Sequence, residues 1–161
     1  MRTICLCAAA ALAAYPAVAA ADRPWRGGAG AGGYLALTGP ETTGVTASAE
    51  LLPGGHLDRW GGRMEARSLD DPQDGIDAGL VMGGVTYEAG ASRPRLAMAL
   101  HAEAGARLPD PRPALGAGIR TTLWIIGPIA LAADSTATFV LDGVDDSELL
   151  LASSLTLGLA R

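Results

Sequence analysis

Residues 95 to 107 read RLAMALHAEAGAR, and their two parities carry different chemistry. The even positions hold Leu96, Met98, Leu100, Ala102, Ala104 and Ala106. The odd positions hold Arg95, Ala97, Ala99, His101, Glu103, Gly105 and Arg107. Every charge falls on one parity and every large apolar side chain on the other. A period of two is the mark of a β-strand with two unlike faces, because successive side chains point to opposite sides of the sheet.

The same alternation runs along most of the chain and predicts eight strands. They are 25–38, 43–52, 59–68, 78–89, 95–107, 114–126, 129–141 and 149–161. Turn-forming segments separate them, among them GPETT, DDPQDG, LPDPRP, Gly127-Pro128 and DGVDDSE. No stretch has helical periodicity. The strands are longer than the usual ~5–6 residues and suit a tilted membrane strand of roughly 9–11. The fold class this predicts is all-β: an eight-stranded antiparallel up-and-down transmembrane β-barrel.

At 161 residues the chain is read as one domain behind a leader. Residues 1–21 have the pattern of a signal peptide, with Arg2, an apolar run from Ile4 to Ala14, Pro16, and small-residue cleavage sites ending at Ala19 or Ala21. Residues 22–161 form the barrel domain. Both cysteines, Cys5 and Cys7, lie in the leader, so disulfides and thiol chemistry are not expected in the remainder. The net charge of −5 without a basic patch argues against nucleic acid as a partner.

The membrane reading rests on how charge is sorted. In strands two, three, five, six, seven and eight the apolar parity is free of charge until Arg161. The opposite parity holds Glu50, Arg63, Glu65, Arg67, Arg95, Glu103, Arg107, Arg120 and Asp134. A charge facing lipid costs up to about 2–4 kcal/mol at the bilayer midplane, which would keep one face clean. Charges turned into a narrow lumen must pair. Glu50 falls opposite Arg63 across the 53–59 turn. Arg120 reaches Asp134 across Gly127-Pro128 only if a bulge shifts the register there. His101 is expected to join this lumen ion-pair network beside Glu103 and Arg120.

The connections after strands one, three, five and seven are acidic. Glu41, Asp70, Asp71, Asp74, Asp77, Asp110, Asp142, Asp145, Asp146 and Glu148 face Arg112 alone. On the outer side of a membrane they would be candidates to hold divalent cations beside anionic headgroups. No cofactor is expected. Gly28-x-Gly30-x-x-Gly33 matches a dinucleotide fingerprint by letter but lacks the preceding strand and following helix. An enzyme is not expected either: Asp134 and Ser135 point to opposite faces, and His101 is mid-strand.

A signal peptide, eight amphipathic strands, short turns and an apolar last strand resemble the small outer-membrane β-barrels of Gram-negative bacteria, those similar to the OmpA transmembrane domain and OmpX. The resemblance covers residues 27–161 and is architectural. It implies outer-membrane lipid as the partner and a non-enzymatic, porin-like or structural role in the envelope: envelope structure, surface interaction or limited small-solute passage. The chain departs from the family at its end, Leu159-Ala160-Arg161, where an aromatic is usual, and in the few aromatics available for an interfacial girdle, Trp25, Trp60, Tyr87 and Phe139. The alternative expectation is a soluble, secreted or periplasmic lipocalin-like barrel that binds an apolar ligand.

Overall fold

The computed structural model describes residues 26–38, 43–53, 59–70, 77–93, 96–141 and 147–160. The side chains at 26, 69–70, 77–78, 90–93 and 160 lie outside that description, as does the leader with its signal-peptide assignment. Eight strands are present: β1 Arg26–Ala36, β2 Thr43–Leu52, β3 Trp60–Asp70, β4 Asp77–Arg93, β5 Leu96–Leu108, β6 Arg112–Ile126, β7 Ile129–Val140 and β8 Glu148–Ala160. Each pairs antiparallel with the next, and β8 returns to β1, so the sheet closes into a barrel in chain order. Closure leaves no unpaired strand edge.

Three strands run at least two residues further than the alternation predicts, β3 among them, ending at Asp70 rather than Ser68. β4 continues past Ala89 to Arg93, with a shift of register against β5. β6 starts at Arg112 and includes Pro113, which pairs with Ala106, so the proline-rich stretch reduces to a turn at 109–111. The expected irregularity at the β6–β7 hairpin is present. Ile126 pairs with Ile129 across Gly127-Pro128, Trp124 pairs with Ala130, and Ile125 is the extra residue. Gly127 has φ 54°, as the first position of a type II′ hairpin turn requires. The bulge brings Arg120 into register with Asp134.

The barrel is apolar outside and polar across much of its inside. Leu100, Leu115, Ile119, Leu123, Leu155 and Leu157 are exposed, Leu157 to 58%. Arg63, Glu65, Arg67, His101, Glu103, Arg120 and Asp134 are buried, Arg63 to 3%. Eight strands enclose just enough room for side chains to fill, and glycines make room for the large ones. A Cβ on Gly118 would lie 2.6 Å from His101 Nε2, and one on Gly116 would lie 3.2 Å from the end of Met82.

The lumen is not uniform along its axis. Tyr34, Leu80, Met82, Ala114, Val140, Leu150 and Ala152 form an apolar cluster at the end reached by the connections after β1, β3, β5 and β7. Charge sorting alone predicts ion pairs in the lumen; at this end Leu80, Met82, Val140 and Leu150 fill it instead. Tyr34 caps the cluster: its hydroxyl donates to the Ser68 carbonyl at 2.5 Å, and its ring lies over Gly44.

Candidate functional site: a buried ion-pair network above a terminal pocket

Below the apolar cluster, charged side chains from five strands meet. Arg63 on β3 is the hub. Its Nη2 lies 2.6 Å from Glu65 Oε2 and 2.6 Å from Asp134 Oδ2, and its Nε donates to Glu103 Oε1. Arg67 Nε donates to Glu65 Oε1 at 2.5 Å, and Thr46 donates to the same oxygen at 3.0 Å. His101 stands between two carboxylates, with Nε2 3.1 Å from Asp134 Oδ1 and Nδ1 3.2 Å from Glu103 Oε1. Thr136 donates to Asp134 Oδ1 at 2.8 Å. Arg120 donates from Nη1 to Ser48 Oγ at 2.9 Å, and its Nε lies 3.9 Å from Glu50 Oε2.

The pairing differs from the expected one in a specific way. Glu50 is in register with Arg63, and Arg120 with Asp134, as anticipated. Yet the side chains reach past their ladder partners. Arg63 joins β3 to β5 and β7, while Arg120 on β6 turns to Ser48 and Glu50 on β2. Strand tilt explains this. In a tilted barrel, inward side chains at the same height come from alternate strands, and here β3 meets β5 and β7 while β6 meets β2 across the lumen.

Eight of the ten residues expected in the network, Glu50, Arg63, Glu65, Arg67, His101, Glu103, Arg120 and Asp134, lie in it. Arg107 does not: it pairs with Glu148 at 3.3 Å near the far rim, a partner the sequence reading had placed among the loop acids. The side chain of Arg95 lies outside the described residues. Glu88, which the alternation of 78–89 puts on one parity with Leu80, Met82 and Thr86, is absent from the expected network yet is a buried inward residue of β4. That shared parity was the available signal.

The expected divalent-cation loops fall largely outside the description, which omits Glu41, Asp71, Asp74, Asp142, Asp145 and Asp146 and the side chains of Asp70 and Asp77. Among the described residues, no three His, Cys, Asp or Glu side chains cluster as a metal site. Gly28, Gly30 and Gly33 lie within strand β1, so their spacing frames no phosphate loop. Ser135 is exposed on the outer face and hydrogen-bonds Ser153, while Asp134 beside it points inward.

At the end of the barrel where β1 begins and β8 ends, a pocket of about 70 Å³ reaches down to the network, bounded by Glu50, Leu52, Glu88, Ala99, Arg120, Thr122 and Trp124 among others. On the outer wall at that end, Trp60 stacks on Tyr87 with ring centroids 4.9 Å apart. No protein-family model matches this chain, and no curated protein matches it in sequence.

Proposed function

We propose that this chain is an outer-membrane β-barrel of a Gram-negative envelope, non-enzymatic, with lipid as its partner and a structural or surface-interaction role. The observation that carries the reading is the inverted polarity. The large outward side chains are mostly Leu, Ile, Val and Met, and the buried charges face the axis. Water around such a surface would meet an apolar belt, broken by the Ser135–Ser153 pair, larger than the few hundred Å² soluble monomers expose. On β6 the exposed side chains from Leu115 to Ile125 span ten residue steps. At about 3.4 Å per residue and the usual tilt this rises about 25 Å, the height of an outer-membrane apolar band. The Trp60–Tyr87 pair sits at one edge of that belt, where amphipathic rings favour the interface.

Of the roles open to such a barrel, structure and surface interaction fit better than solute passage. The lumen is occupied by the apolar cluster at one end and by ion pairs in the middle. A lipocalin-like barrel that holds an apolar ligand would need the reverse polarity, and the charged interior here is a poor lining for one. The discriminating experiment is fractionation of cells producing the full chain, followed by denaturing gels with and without boiling. Recovery in detergent-extracted outer membrane, with a heat-dependent shift in migration, supports the reading. Recovery in soluble periplasm or medium overturns it.

A further inference from the structure

Arg120 is about nine-tenths buried, yet among the described residues its Nε–H has no hydrogen-bond partner, and neither does Glu50 Oε1, also enclosed. Both residues line the pocket at the terminus end. They are of opposite charge and stand at 3.9 Å, too far apart for a hydrogen bond between them. An open ion pair with one spare donor and one spare acceptor fits a guest that offers an acceptor and a donor of its own. Glu88 also lines the pocket and has an interaction of its own, so the charge a guest must match is that of the Glu50–Arg120 pair. A lone anion or cation added to that pair leaves an uncompensated charge out of water. A zwitterion adds none.

The space fits as well. The pocket is about 70 Å³, against roughly 10–15 Å³ on the same measure for one enclosed water, so it takes a group of roughly five non-hydrogen atoms. The geometry points to a binding site for a compact zwitterion, an α-amino acid headgroup. Its carboxylate accepts from Arg120 Nε–H, and its ammonium donates to Glu50 Oε1. Ser48 holds the other side of the guanidinium in place through Nη1 at 2.9 Å. The site is entered from the terminus end, because the apolar cluster fills the other half of the lumen.

The test is a titration of the folded full chain with glycine, acetate and methylammonium, each to about 100 mM, read at the Trp124 indole resonance, since Trp124 lines the pocket. Glycine is expected to give a saturable shift with an apparent Kd at least about tenfold below that of either singly charged probe. Ala99→Leu fills the pocket beside Arg120, its ladder partner, and is expected to abolish the shift. Glu50→Gln preserves shape, should fold where a bulkier change fails, and is expected to weaken glycine about tenfold. No glycine shift means that water alone occupies the pocket and overturns the proposal. Equal binding of acetate or methylammonium overturns it, as does a glycine shift that persists in Ala99→Leu or is unchanged in Glu50→Gln.

Discussion

Arg63 concentrates the cost and the gain of this interior in one side chain. It is 3% exposed and touches three carboxylates, on its own strand and on two others. Replacing one partner of a buried pair leaves the other charge uncompensated, at about 3–5 kcal/mol. Arg63→Met therefore lowers the stability of the folded barrel by at least about 3–5 kcal/mol, measured by equilibrium urea unfolding in detergent or vesicles. A loss within about 0.5 kcal/mol, as for an ordinary surface site, would mean the network is not closed as described. The identities of the network residues were legible beforehand, since the charge on alternate positions of 59–68 and 95–107 fixes which side chains turn inward. Their partners were not. Sequence alternation states the face a residue occupies, but the strand tilt that lifts Arg63 level with β5 and β7 rather than with Glu50 belongs to the closed barrel.

Among the elements, the seam between β1 and β8 is as tight as that between β4 and β5, where Gly84 and Gly105 are pressed by facing carbonyls. Gly30 stands opposite Gly158, and Gly32 opposite Thr156. A Cβ on Gly158 would run into the carbonyl of Ala29, and one on Gly32 into the carbonyl of Leu155. Gly27, Gly30 and Gly32 of the first strand thus stand where neighbouring backbone leaves little or no room for a side chain. Gly158→Val is expected to leave the seven hairpin pairings of the eight strands intact and to block the closing contact, lowering the yield of the compact form in refolding on gels. Gly62→Ala, where the added Cβ meets nothing within 4 Å, changes stability by no more than about 0.5 kcal/mol. The apolar cluster was less visible from the sequence. Leu80 and Met82 face Val81 and Val85 across the plane of β4, and a strand apolar on both sides has no parity signal to read.

For the whole molecule the exposed belt decides what solvent it tolerates. Leu155 is 55% exposed near the middle of β8. In a bilayer, Leu155→Arg is expected to cost about 2–4 kcal/mol of folding free energy in vesicles, the penalty for a cation near the midplane. In water the same change would improve solubility and cost almost nothing. Folding titrations of this one variant therefore separate a lipid-facing wall from a wetted one. The bulge at Ile125 acts at this scale too. By offsetting β6 against β7 by one residue, it keeps Asp134 on the inner surface rather than the outer one.

The first strand finds its last neighbour more than a hundred residues later, Gly28 beside Ala160. Until that meeting, a growing curved sheet carries two raw margins of unsatisfied amide and carbonyl groups, together with a buried-charge array still open to view. Contacts so distant along the chain are the slow ones to form. The order of events in time follows: nearest-neighbour hairpins come early, and the interior is sealed only in the final step.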